Sequence, residues 1–222
     1  MTLSIKGHKG MQLNKNNVNV IVTDSQIIYQ ELVRGFLGYS DEIKHITDEF
    51  EEVDIEEQYD FLGDPLLSRN TSSKYMTKII NAVNQEVFPQ DRDRILKIYC
   101  ELVNKVQDVL MMQDVVFELN PDYDFKKLLK FLGFTIENEI WTNPYDIIET
   151  VLQIHQLCDL KTTVVFNNVS NYLDNDQMHE LIRLAHQMNI PLLLIEFKGD
   201  RYFFEEQKCD CFYIDNDLVD WY

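Results

Sequence analysis

Two all-apolar runs with a helix between them restrict this chain more than any other feature. Thr162-Thr163-Val164-Val165-Phe166 is a β-branched stretch long enough for one buried strand, and Leu192-Leu193-Leu194-Ile195 is a second. Between them Asp174 stands where a helix N-cap belongs. Met178, Leu181, Ile182, Ala185 and Met188 follow at helical spacing, and Asn189 and Pro191 supply the stop. Strands without polar alternation belong in a parallel sheet covered on both faces, so the spacing predicts a βαβ unit. Ligands of such sheets bind beyond the carboxyl ends of the strands. Here those ends carry Asn167-Asn168 and Glu196, with no glycine-rich loop nearby.

That absence bears on chemistry. None of the seven glycines fits the Gly-x-x-x-x-Gly-Lys-Ser/Thr frame whose amides wrap phosphates. Asn167 and Asn168 offer no charge where a hydrolase presents an acid to magnesium. His179 and His186 lie on one helix and His155 in another amphipathic segment, none with a serine or cysteine partner of triad kind, so they read as surface or boundary side chains. Cys209-Asp210-Cys211 is a poor zinc half-site, and with Cys100 and Cys158 these read as structural or neutral thiols of a reducing cytoplasm. No apolar run is long enough for a membrane span, and the first residues lack the apolar core of a secretory signal. No enzyme is expected.

Three zones follow one another. In the first, Leu3-Ser4-Ile5 and Met11-Gln12-Leu13 flank a hairpin turn at Lys6–Gly10, and Val18–Val22 makes a buried strand. Asp24 is predicted to cap a helix bearing Ile27, Ile28, Leu32, Val33, Phe36 and Leu37, which Gly38 ends. The middle zone is helical: Tyr75, Ile79, Ile80 and Val83 in one segment, Ile95, Ile98, Leu102, Val106, Val109 and Leu110 in another, Phe125, Leu128, Leu129 and Leu132 in a third. The last zone returns to α/β. The expected architecture is an α/β head of residues 1–59 and 147–222 interrupted by a helical leg of residues 60–146.

A net charge of −18 argues against a general nucleic-acid binder. The acids are clumped, however: residues 41–60 hold ten of them against the single base Lys44. A Debye length of about 8 Å isolates such a patch from a distant basic surface. Lys126, Lys127 and Lys130 share one helical face, Lys74 and Lys78 another, and Arg92, Arg94 and Lys97 form a third group. The plain reading is solvated helix faces; repeated around a symmetric pore, they become a binding surface. The loop Glu118-Leu119-Asn120-Pro121-Asp122-Tyr123-Asp124 also has two readings. Its carboxylates and carbonyls are oxygen ligands suited to calcium, or Asp122 or Asp124 caps the helix starting at Phe125.

The order of elements resembles the accessory adaptation protein of type II-A CRISPR systems, the Csn-two family. The matching pieces are Val18–Val22 with its capped helix, Asp60-Phe61-Leu62-Gly63 leading to Lys78-Ile79-Ile80, and Leu128–Gly133 followed by Phe134-Thr135-Ile136-Glu137. Val164–Asn168 with Tyr172-Leu173, Leu192–Glu196 and Cys211-Phe212-Tyr213-Ile214 complete a match that runs in order through nearly the whole chain. The resemblance implies a head shaped like P-loop ATPases but lacking the phosphate loop and hydrolysis, binding no nucleotide, with a helical leg. It implies a homotetrameric ring that takes the ends of linear double-stranded DNA through a basic central hole. It also implies work beside the CRISPR integrase complex and the type II effector nuclease in spacer acquisition. Lys74, Lys78, Lys126, Lys127 and Lys130 become the DNA-contact candidates, and Glu118, Asp122 and Asp124 the calcium candidates. Relatives tend to carry a glutamate where this chain has Lys127, which weakens the calcium site. A degenerate nucleotide-binding or hydrolysing ATPase-like protein is the alternative.

Overall fold

The computed structural model describes residues 2–67, 71–136 and 142–221; Glu137, part of the resemblance above, lies outside them. The chain divides into two compact units, residues 1–71 with 137–222, and residues 72–136.

The first unit is built on the apolar runs. β3 (Val18–Thr23), β7 (Thr163–Asn167) and β8 (Leu192–Phe197) are buried along almost their whole length. They run parallel, β3 beside β8 and β8 beside β7. β6 (Tyr59–Gly63) extends the sheet parallel to β7. On the other side β9 (Asp210–Ile214) lies parallel to β3, and β10 (Asp220–Trp221) closes that edge antiparallel. The order is β10-β9-β3-β8-β7-β6. Asn19, the second residue of β3, is buried with its side chain bonded to the amide and carbonyl of Asn14 and the carbonyl of Asn17.

A second sheet is antiparallel, with β1 (Thr2–Ile5), β2 (Met11–Gln12), β4 (Ile43–Ile46) and β5 (Glu52–Val53) in the order β2-β1-β4-β5. β1 and β2 are the expected hairpin. β4 was hidden in the acid block; its buried Ile43 and His45 alternate with exposed Lys44, which is how a half-buried strand reads. Helix α1 (Gln26–Phe36) packs between the two sheets. Its Ile28, Leu32 and Phe36 join Leu3, Ile5, Met11 and Ile43 on one side and Ile21, Val165, Leu193 and Ile195 on the other. The approach to β4 is close enough to require glycine: a Cβ on Gly35 would stand 2.2 Å from Ile43 Cγ1. The cap of α1 differs from expectation. Ser25 is the N-cap, accepting from the Ile28 amide, whereas the Asp24 carboxylate takes the Tyr213 hydroxyl at 2.8 Å.

The opposite face of the parallel sheet is covered by α6 (Pro144–Leu157) and α7 (Asn175–Met188), which bury Ile148, Val151, Leu152, Leu181 and Ile182. α7 has the predicted ends: Asp174 and Gln177 form a reciprocal capping box, and Asn189 is left-handed. The short α2 (Ile55–Gln58) precedes β6, and α8 (Arg201–Glu206) links β8 to β9. The expected head boundaries at residues 59 and 147 are corrected accordingly. Residues 60–63 hydrogen-bond to β7 as sheet, and α6 begins at Pro144.

The second unit is helical throughout its regular structure. α3 (Thr71–Glu86) is followed by α4 (Pro89–Met111), whose Pro89 sits at a first-turn position where its missing amide costs nothing, and by α5 (Phe125–Phe131). Among the described residues no helix is long and apolar enough to cross a membrane.

Candidate functional site

α3 carries Lys74 and Lys78 one turn apart, both exposed, with the Lys74 ammonium 5.8 Å over the Tyr75 ring. α5 places Lys126 and Lys130 one turn apart, with exposed Lys127 beside them. The three lysines of α5 are not equivalent. Lys127 Nζ lies 2.9 Å from Asp122 Oδ2, and that carboxylate raises the ammonium's pKa above its ordinary value. The third basic group divides: Arg92 bonds the side chain of Asn84 and stacks 5.8 Å over Phe125, so it serves packing, while Arg94 and Lys97 are exposed.

The acidic loop before α5 resolves into separate tasks. Asp124 is the N-cap of α5, its Oδ1 accepting from the Lys126 amide at 2.8 Å. Asp122 holds Lys127, and Glu118 is exposed. Among the described residues no group of three or more His, Cys, Asp or Glu side chains converges as a metal cage. Asp122 is engaged by Lys127 and Asp124 by the Lys126 amide, and the capping reading accounts for Asp124.

The carboxyl edge of the parallel sheet, where nucleotide chemistry would sit, is a closed polar network. β3 passes through Asp24 and Ser25 straight into α1, leaving no loop to wrap a phosphate. Asn167 and Asn168 both donate side-chain N–H groups to the Tyr29 hydroxyl at 2.6 Å. Asn168 is left-handed, and its Oδ1 accepts from the Phe197 amide. Glu196 is wholly buried; its Oε1 accepts from the Val169 amide at 2.9 Å, and its Oε2 lies 2.6 Å from the Ser170 hydroxyl. Burial pushes the Glu196 carboxyl up to about 7 despite those donors. Asp64, beyond β6, accepts from the Tyr172 hydroxyl at 2.7 Å. The ionisable groups of this network are acidic or phenolic; the cations nearest the edge, Lys198 and Arg201, follow β8, with Arg201 4.9 Å over the Tyr213 ring.

Sequence reasoning placed Asn167, Asn168 and Glu196 at this edge but missed Tyr29, Ser170 and Asp64, which complete it. His155 is a further correction. It is 1% exposed rather than a boundary side chain, with Nε2 2.9 Å from Asp60 Oδ2. Cys209 and Cys211 sit in partly or fully covered positions where burial pushes their thiols up to about 12 and about 11. Both are thus protonated thiols at neutral pH, consistent with a structural role.

In comparisons with known proteins, no curated sequence matches. Among solved structures the chain is similar over its whole length to the crystal structure of Stu0660 of Streptococcus thermophilus, with a TM-score of 0.63 at 14% identity over 76% of that chain. At that identity the likeness speaks for the fold. A family model described as CRISPR-associated protein (Cas_Csn2) matches residues 38–218, from the end of α1 through β9, and so takes in both units. The chain belongs to the CRISPR-associated Cas_Csn2 family.

Proposed function

We propose that this chain forms a non-catalytic ring of four copies that holds the ends of linear double-stranded DNA without reading their sequence. In this reading it supports spacer acquisition beside the CRISPR integrase complex and the type II effector nuclease. Its head is a P-loop-ATPase-like scaffold from which the phosphate loop is missing; the direct passage from β3 into α1 supports this.

One observation carries the DNA reading beyond family membership. Residues 72–136 contain nine Lys and Arg against nine Asp and Glu, so the whole net charge of −18 belongs to the rest of the chain. A locally neutral helical unit with exposed Lys74, Lys78 and Lys130 and half-buried Lys126 approaches a polyanion without the repulsion that the global charge suggests. Four copies multiply the available phosphate contacts. Binding through phosphates alone is sequence-independent and falls steeply with salt.

The test is a gel shift of linear against closed circular duplex, combined with gel filtration. The expected result is a tetramer-sized particle that retards only linear DNA. The triple variant Lys126→Glu, Lys127→Glu, Lys130→Glu should lose that shift while keeping its elution volume. Unchanged binding by the triple variant would reject the α5 lysines as the contact. Equal retardation of circular DNA would reject end binding. Saturable binding of ATP with no DNA shift would favour the degenerate nucleotide-binding reading.

A further inference from the structure

A cleft of about 410 Å³ opens beyond the carboxyl ends of β3 and β9, where parallel sheets take ligands. None of its lining residues belongs to the polar network around Tyr29 and Glu196. Tyr202 is 62% exposed there and Trp221 51%, beside half-buried Tyr213. Two of these rings are anchored through their polar ends. The Tyr213 hydroxyl donates to Asp24 Oδ2 at 2.8 Å, and Trp221 Nε1 donates to Asp215 Oδ2 at 2.9 Å. The tyrosines already hold one cation: the Arg201 guanidinium stands 4.8 Å from the Tyr202 ring centre and 4.9 Å from that of Tyr213.

Three aspartates against one arginine leave this lining two charges negative. Asp200 caps α8 through Oδ1, which accepts from the Tyr202 and Phe203 amides, and Tyr213 takes only Oδ2 of Asp24. Among the described residues nothing hydrogen-bonds the second oxygen of either carboxylate. Bonds from the Trp221 indole and the Val219 and Asp217 amides hold the Asp215 carboxyl below its ordinary value, so it is ionised at neutral pH. An anionic ligand would meet these charges with one guanidinium to receive it. A bare divalent ion needs oxygens converging to about 2.0–2.6 Å, and no three acidic side chains among the described residues form such a group. Carboxylates spread along a cleft with aromatic walls suit an elongated cation, with N–H groups for the acids and methylenes for the rings.

We infer that this cleft binds an aliphatic polyamine, its ammonium groups paired with Asp24, Asp200 and Asp215 and its methylenes lying on Trp221 and Tyr202. An ammonium donates three hydrogen bonds and accepts none, which matches acids that only accept. The indole face is the strongest aromatic partner for a cation, and it stands at the mouth of the cleft half in solvent. The site lies wholly within the first unit and requires neither a ring of copies nor DNA. The net charge of −18 draws any polycation toward this chain, so a specific site must be separated from diffuse attraction.

The experiment titrates the full chain with spermidine in a calorimeter at about 0.15 M salt, where long-range attraction is screened. One saturable site is expected. Asp24→Asn combined with Asp200→Asn removes two charges and keeps both local bonds, because an Asn oxygen still accepts from the Tyr213 hydroxyl and still caps α8. Its Kd should be about tenfold higher or more. Trp221→Leu keeps an apolar side chain, loses the indole face and should raise Kd about threefold. Glu49→Gln combined with Glu51→Gln removes the same charge from the exposed turn before β5 and should leave Kd unchanged. Trp141 and Trp221 are the two tryptophans, so in a Trp141→Phe background the emission of Trp221 should change on binding and saturate with the calorimetric Kd. Equal weakening by the two double variants, or the lack of a saturable site, would overturn the inference. Tighter binding of a trilysine peptide than of spermidine, lost in the same Asp24 and Asp200 variant, would overturn the polyamine and give the cleft to a partner protein's lysines.

Discussion

The two units solve opposite problems. Residues 1–71 and 137–222 carry the whole negative excess and still close a core in which α1 is held between two sheets. Residues 72–136 are charge-balanced, yet their longest helix buries no side chain. Charge is tolerated where apolar burial is ample, since acids on strand edges and loops remain in water. An apolar stripe left in water, by contrast, lowers stability until something covers it. One unit buries its apolar faces in its own core, and the other leaves an apolar stripe of its longest helix exposed.

The largest expected effect contrasts these two conditions directly. Leu193 is fully buried in β8, in the core shared with α1. Leu193→Ala should cost about 2–5 kcal/mol in chemical denaturation, through lost transfer energy and the cavity left behind. Leu102→Ala removes the same atoms from a side chain 53% exposed. In a dilute monomer it should change stability by no more than about 0.5 kcal/mol. Comparable losses at the two sites at low protein concentration would erase the distinction between the units.

How much of this was legible in sequence follows from the range of the interactions. β3, β7, β8 and the caps of α7 were readable because each depends on neighbours within a few positions. β4 was not, because Lys44 and the surrounding acids mask a strand whose partner β1 lies some forty residues earlier. His155 was misjudged because its burial depends on Asp60, 95 residues away. Tyr29 was invisible as a site residue for the same reason: its partners Asn167 and Asn168 lie 138 and 139 residues on. The α5 lysines were legible as a face, but not the choice of Lys127 by Asp122, since Lys126 and Lys130 have the same spacing claim.

A second prediction sharpens the comparison through pH. The Glu196 carboxyl is held near 7 by burial, above its ordinary 4.5. A raised carboxyl means the folded chain holds the proton that the unfolded chain releases. The group's stabilising contribution is complete below about pH 4.5 and is lost as pH rises through 7. At pH 8 the accumulated cost is about 3 kcal/mol, at roughly 1.4 kcal/mol per pH unit. Glu196→Gln keeps the side-chain shape and removes the titration. Its denaturation free energy should exceed that of the parent by up to about 3 kcal/mol at pH 8, with the two converging near pH 5. Taking the difference between the two proteins cancels the repulsion among the surface acids. A gap that does not change between pH 5 and pH 8 would mean that Glu196 is ionised throughout.

The smallest effect belongs to the helical unit and decides what Asp124 does there. As an N-cap it satisfies the Lys126 amide at the start of a seven-residue helix. Asp124→Ala should cost about 1 kcal/mol, within the 0.5–2 kcal/mol span of such replacements, and Asp124→Asn much less because the amide oxygen still accepts. Both values, read as faster amide exchange in α5, should be the same with millimolar calcium and with a chelator. If calcium instead protected α5 in the parent and not in Asp124→Asn, the carboxylate would be acting as a metal ligand. Asp122 would then have to leave Lys127, freeing the ammonium toward the same face as Lys126 and Lys130. The cap and the cage thus make opposite demands on one loop, and calcium-independent exchange assigns it to the cap.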